Sequence, residues 1–271
     1  MKKHYSSLLS TGFGKFASRP FSKPVQKFIN KSYVKLMGLD MSEFDNPANY
    51  PTLNKLFTRS FITAKEITED ESIMISPVDA LVTDFGEITE GKAYQIKGME
   101  YDISELFGEY HKEASSAVEG GEFVNLYLSP KDYHRYHTPD KLNIKSLTHI
   151  PGKLYPVNFP LLRNKKNLFI ENERVIIECT DQKDNVFIMV LVGALNVGKM
   201  VVTFEDSINT NSDIREPQHY TYENLTLEKG ELFGWFEMGS TILLFSQKGV
   251  YTPALEVNQK VKFTENIGTL K

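Results

Sequence analysis

Along the first 65 residues, apolar positions return at helical spacing. Val25, Phe28, Ile29, Tyr33, Leu36 and Met37 mark one side of a helix, while Lys23, Lys27, Lys31 and Lys35 recur every four residues as a cationic stripe. A second short helix is predicted from Leu53, Leu56, Phe57 and Phe61 with Lys55 and Arg59, after the turn-rich residues 46–51. From about residue 72 the pattern changes to short runs rich in Val, Ile and Phe, separated by Gly, Pro, Asn and Asp. Those runs predict strands over 80–85, 122–128, 174–179, 186–192, 200–204 and 241–245. Asp102 ahead of Ile103 predicts a capped helix over 103–107, and the Pro- and Gly-rich 151–160 reads as a structured loop. Ten-residue helices alternating with strands, the mark of a doubly wound sheet, are missing. The predicted fold is α+β: amphipathic N-terminal helices over 1–65, then an antiparallel β-rich body over 66–271.

Composition narrows the classes. The 271 residues carry 41% hydrophobic and 24% charged side chains with a net charge of −4, as in a folded globular chain. Cys179 is the single cysteine, so a disulfide scaffold is excluded and a reducing, cytoplasmic setting is expected. The longest apolar run, 186–195, falls short of the roughly 20 residues a spanning helix needs. No apolar stretch at the N-terminus resembles a secretory leader.

The charge is unevenly spread. Residues 1–39 hold eight Lys and Arg and no acid, which leaves −12 for residues 40–271. One reading is a helix pair packed on the body with a solvated outer face. The other is an interfacial anchor on anionic lipid, where each cation contributes about 1 kcal/mol. Nucleic acid is disfavoured, because most of the chain would repel phosphate.

Several segments carry candidate chemistry. Gly193 to Lys199 fits most of a phosphate-binding loop, but Met200 stands where a Ser or Thr should meet magnesium, and a strand is predicted where a helix must begin. Tyr133-His-Arg-Tyr-His137 sets two imidazoles beside Asp132. In extended chain they fall on opposite faces and could serve two different proton transfers. No cysteine lies near to complete a zinc site. Asp79, in Ser76-Pro-Val-Asp79, is either a turn residue or a site acid, with Asp84 as its competitor. In Gly239-Ser240-Thr241, a glycine before a hydroxyl leaves a carbonyl carbon open to attack, although a lone Gly-Ser-Thr is usually a bulge or a strand start.

Taken together and in order, these segments resemble the bacterial pyruvoyl-dependent phosphatidylserine decarboxylases. The resemblance rests on Ser76-Pro-Val-Asp79, Ser129-Pro-Lys-Asp-Tyr-His-Arg-Tyr-His-Thr-Pro139, Pro151-Gly-Lys-Leu-Tyr-Pro-Val-Asn158, Asn167-Leu-Phe to Asn172-Glu-Arg-Val175, Val192-Gly-Ala-Leu-Asn-Val-Gly198 and Phe236-Glu-Met-Gly-Ser-Thr241. Ala80 and Met238 depart from it, where the family often has Gly and Leu.

The resemblance implies a proenzyme that cuts itself between Gly239 and Ser240 into a β chain, 1–239, and an α chain, 240–271. It implies that Asp79, His137 and Ser240 form a charge relay for that cut, and that Ser240 becomes a covalent pyruvoyl group. The substrate amine of phosphatidylserine would form a Schiff base there and lose CO2 to give phosphatidylethanolamine, with His134 handling a proton. Neither metal nor pyridoxal phosphate is then required. It further implies a peripheral enzyme on the cytoplasmic side of the cell membrane, and a homodimer. Two rivals keep the same residues: a Ser/His/Asp hydrolase acting on an external lipid ester, and a non-catalytic lipid-binding module.

Overall fold

The computed structural model describes residues 5–96, 98–195, 199–237 and 240–271. Two helices open the chain, α1 (Tyr5–Ser18) and α2 (Lys23–Met37), followed by the short α3 (Leu53–Phe57). Pro24 starts α2, and Gly38, in the left-handed region at φ 63°, ends it by giving its N–H to the Val34 carbonyl. Thr52 caps α3 by accepting from the Lys55 N–H.

The orientation of α2 differs from what periodicity suggests. Its inward residues include Gln26 and Asn30, which bond to each other, and Asn30 donates to the Pro47 and Tyr50 carbonyls. Ile29 and Tyr33 pack beside Leu53 and Leu56. Val25, Phe28 and Leu36 face outward instead, Phe28 73% and Leu36 82% exposed. The predicted apolar side is therefore divided, half packing and half bare.

The body begins with β1 (Ile73–Ile75), β2 (Ala80–Glu87), the hairpin β3 (Lys92–Ile96) and β4 (Met99–Asp102), and helices α4 (Ile103–Phe107) and α5 (Lys112–Ala117). Asp102 caps α4 as the sequence predicts, accepting from the Glu105 N–H. Next come β5 (Glu122–Leu128), β6 (Arg135–His137), β7 (Leu142–Ile150), α6 (Phe159–Asn164), α7 (Leu168–Glu171), β8 (Arg174–Thr180), β9 (Val186–Gly193) and β10 (Met200–Val202). The chain closes with β11 (Gln218–Leu227), β12 (Leu232–Phe236), β13 (Ser240–Ser246), β14 (Tyr251–Pro253), β15 (Lys260–Val261) and β16 (Asn266–Leu270).

Eight strands form one antiparallel sheet in the order β11-β7-β8-β9-β13-β5-β2-β15, and β10-β12-β6 forms a small second sheet. This is the α+β, antiparallel architecture read from the sequence. Strand β9 is buried almost throughout and explains the continuous apolar run at 186–195. Met200 opens a strand, so the helix that a phosphate-binding loop requires is not there. Arg174 is buried and donates to the Glu105, Leu106 and Ile170 carbonyls, which ties α4 and α7 to the sheet. Cys179 is a buried thiol giving its proton to the Phe187 carbonyl at 3.3 Å.

Strand β13 lies at the centre of the large sheet, with β16, β14 and β15 of the same C-terminal segment woven into its surroundings. Residues 240–271 are thus interleaved with the rest of the chain, and a cut before 240 would leave them held in place.

Candidate active site

The site grows from two loops that start beside Ser240. On one side of β13 its backbone partner is Leu128, the last residue of β5; on the other it is Gly193, the last residue of β9. From Leu128 the chain runs directly into Ser129 to His134 and β6. The segment before Ser240 is anchored to the same parts: Phe236 N–H donates to the His134 carbonyl and Glu237 N–H to the Lys199 carbonyl. Met238 and Gly239, half of the proposed cleavage site, lie outside the described residues, and of Ser240 only the backbone is described.

Gly193 sits tight. Its N–H reaches the Glu173 carbonyl and its own carbonyl accepts from the Asn172 side chain. Asn172 also exchanges two bonds with the Tyr155 backbone, so 151–158, 172–173 and 193 meet at one buried amide.

His134 is fully buried. Its Nδ1 lies 2.8 Å from the Asp132 carbonyl, which can only accept, so Nδ1 carries the proton and Nε2 is a bare lone pair with no partner among the described residues. The Phe57 ring packs against it at 4.1 Å between centroids. Burial drives its pKa down to about 3, the Asp132 hydrogen bond opposing and the Arg59 charge adding to the drop.

His137, at the end of β6, lies against different neighbours. Its Nδ1 gives a proton to the Gly230 carbonyl at 2.8 Å, and the Tyr133 hydroxyl reaches Nε2 at 3.0 Å. Its ring stacks on Phe263 at 3.8 Å. Burial lowers its pKa to about 4, opposed by the bond to Gly230. The two imidazoles therefore do sit in separate surroundings.

Asp79 follows the buried turn at Ser76, and its carboxylate accepts from the Phe263 N–H at 2.9 Å. Burial raises its pKa against that bond. Asp79 and His137 are thus linked through Phe263 and through the Pro77 carbonyl, which accepts from the His137 N–H. Both His137 ring nitrogens are engaged by Gly230 and Tyr133 rather than by the Asp79 carboxylate. Asp84 belongs elsewhere: it accepts from the Phe85 N–H at a break in the β2–β5 register and acts electrostatically on Tyr101 and Tyr94.

The sequence profile of the phosphatidylserine decarboxylases matches residues 53–269, a span that holds Asp79, His134, His137 and Ser240. The chain belongs to the phosphatidylserine decarboxylase family. It is 44% identical over 264 residues to a protein of Helicobacter pylori named phosphatidylserine decarboxylase proenzyme, covering 97% of each chain. A Campylobacter jejuni protein of the same name is 43% identical over 267 residues, 97% of this chain and 98% of its own. One from Brevibacillus brevis is 36% identical over 239 residues, 87% and 83% respectively.

Several residues at this candidate site escape sequence reading. Tyr133 lies inside the histidine motif but gives no spacing signal for its contact with His137. Phe263 lies 126 residues from His137 in the chain and is brought in by the loop after β15. Arg59, 2% exposed, donates to the Lys131 and Asp132 carbonyls, and the Arg135 guanidinium donates to the Thr58 carbonyl. The α3 end therefore grips the histidine loop. Among the described residues, no group of three or more His, Cys, Asp or Glu comes together as a metal site would need.

Proposed function

We propose that this chain is the self-cleaving precursor of a pyruvoyl-dependent phosphatidylserine decarboxylase, working on lipid at the cytoplasmic face of the cell membrane. One observation carries the reading: Ser240 opens a central strand between the last residues of β5 and β9, and the preceding segment is bonded to the His134 backbone.

In the first stage, the Ser240 hydroxyl adds to the Gly239 carbonyl carbon and its proton passes to His137. Nε2 is the basic atom, because Nδ1–H is committed to Gly230. The Tyr133 hydroxyl, which holds that lone pair in the structure, must yield it or relay the proton. Asp79 is joined to His137 through Phe263, whose N–H it holds and whose ring stacks on the imidazole. Collapse expels the Ser240 nitrogen, which takes the proton, and an ester replaces the amide. Loss of the Ser240 α-proton and of the Gly239 carboxylate then gives a dehydroalanine. Hydrolysis releases ammonia and leaves a ketone at the new terminus.

The site fits such a group: Thr241 Oγ1 and His134 Nε2 are buried polar atoms without partners among the described residues, on the strand and loop that flank position 240. The pyruvoyl group supplies the electron sink for the pair left by departing CO2. His134, neutral and with Nε2 bare, can accept a proton and return it to the substrate carbon. The buried Phe57 ring, packed on the imidazole, keeps water from that exchange.

The lipid has to reach this site from a bilayer. Phe28 and Leu36 are bare on α2 beside exposed Lys27, Lys31 and Lys35, a combination suited to an anionic interface. No helix among the described residues is long and apolar enough to cross a membrane.

A denaturing gel of the purified protein tests the proposal. Two fragments are expected from the native chain and one uncut, inactive chain from Ser240→Ala. An active wild-type chain that remains full length overturns it.

A further inference from the structure

The Asp132 carbonyl is shared. His134 Nδ1 donates to it at 2.8 Å, and Arg59 Nη2 donates to the same oxygen at 3.3 Å while also bonding the Lys131 carbonyl at 2.8 Å. Arg59 is 2% exposed, and its Nε and Nη1 have no hydrogen-bond partner. Its guanidinium lies over the Phe44 ring at 4.5 Å, which compensates part of that loss. Burying an incompletely bonded cation is a costly way to hold two carbonyls. The charge and the fork of the guanidinium therefore call for a purpose beyond tying α3 to the loop.

We propose that Arg59 is a positioning residue for His134: it fixes the Asp132 carbonyl from its second lone pair and so locks the imidazole in the one tautomer that leaves Nε2 bare. In water the opposite tautomer is ordinarily preferred, so a fixed acceptor is needed to hold this one. The cation also adds to burial in opposing a second proton on the ring. Phe57, two residues before Arg59, fixes the plane of the same ring, so one short segment sets both its tilt and its proton. The proposal extends the role given to His134 above and rests on that reading only for its effect on turnover.

The test uses the mature enzyme labelled with 15N-histidine, as wild type, Arg59→Gln and Arg59→Lys, with His134→Gln to assign the signal. At neutral pH, wild-type His134 should give one protonated-type and one bare-type ring nitrogen. In Arg59→Gln the two shifts should converge toward a tautomer average, with the remaining histidines unmoved, and kcat should fall on the order of 100-fold. Arg59→Lys, which keeps the charge and loses the planar fork, should lie between. Unchanged His134 shifts in Arg59→Gln overturn the proposal even if kcat falls, because the loss is then merely structural. Should Arg59→Gln not yield folded protein, Arg59→Lys decides by the same criterion. Converged shifts with undiminished kcat uphold the positioning and overturn the catalytic reading of His134 instead.

Discussion

The Phe263 ring stacks on the His137 imidazole at 3.8 Å between centroids, 21° from parallel, while the Phe263 N–H holds the Asp79 carboxylate. The segment that carries Ser240 therefore also carries the residue that aligns acid and base. Replacing Phe263 by Ala keeps the N–H but opens a cavity beside His137. Self-cleavage should slow by about tenfold or more, and stability should fall by about 3–4 kcal/mol. Phe263→Leu should recover most of both. The measurements are gel time courses and urea melts, and an Ala variant that cleaves at the wild-type rate removes Phe263 from the account.

His134→Ala should cut itself normally yet lose turnover by roughly 10²- to 10⁴-fold. His137→Ala should fail at the earlier step and accumulate as uncut chain. Time courses of cleavage and of CO2 release from the two variants separate the roles. Normal decarboxylation by His134→Ala would end its assignment.

Acid should destabilise this fold through its imidazoles. His134 and His137 are held at about 3 and about 4, against about 6.5 in an unfolded chain. Once pH drops below that unfolded value, the unfolded state takes up protons the native state refuses, so stability present above pH 6.5 is lost on descending toward 4. Asp79 and Asp132, raised by burial, work in the opposite sense as they protonate. Comparison with His134→Gln, both on the uncut Ser240→Ala chain, isolates one imidazole. From pH 7 to 5 its loss of stability in urea melts should be smaller by about 2 kcal/mol. Equal losses would contradict a buried neutral His134.

Membrane binding should depend on the outward part of α2. Phe28→Ser with Leu36→Ser should weaken binding to phosphatidylserine-containing vesicles by about 3 kcal/mol, independently of salt. Lys27, Lys31 and Lys35 changed to Gln should weaken it by about 1 kcal/mol each, an effect that vanishes at high salt. Substitution is a cleaner test than truncation, because Ile29 and Tyr33 pack beside Leu53 and Leu56, which a deletion would uncover. Vesicle flotation reads both variants, and unchanged binding would leave the stripe as a solvated outer face.

How far the chain could be read before folding depends on whether each signal is local. The Asp102 cap and the strands 122–128 and 186–192 were legible because their pattern is contained in a few neighbours. Strand β11 escaped because it is a sheet edge, half solvated, with Gln218, Thr221, Glu223 and Asn224 where an alternating apolar face would have announced it. Gln26 and Asn30 look like surface residues, since the carbonyls that hold Asn30, which in turn accepts from Gln26, come from Pro47 and Tyr50. At the site, the order of Asp79, His134, His137 and Ser240 supported the family resemblance. The partners that hold them, Arg59, Phe57, Gly230 and Phe263, are set by tertiary contact alone. Hence a direct Asp79–His137 pair was the natural expectation, and a contact mediated by Phe263 was not.

The most direct test is the mass and terminal chemistry of the fragment beginning at position 240 from purified, active protein. The account predicts a peptide spanning 240–271, lighter by one ammonia than the encoded sequence, blocked to Edman degradation and reactive toward borohydride. A fragment with a free serine amine at its start, or active protein with residue 240 still amide-linked to Gly239, would contradict it.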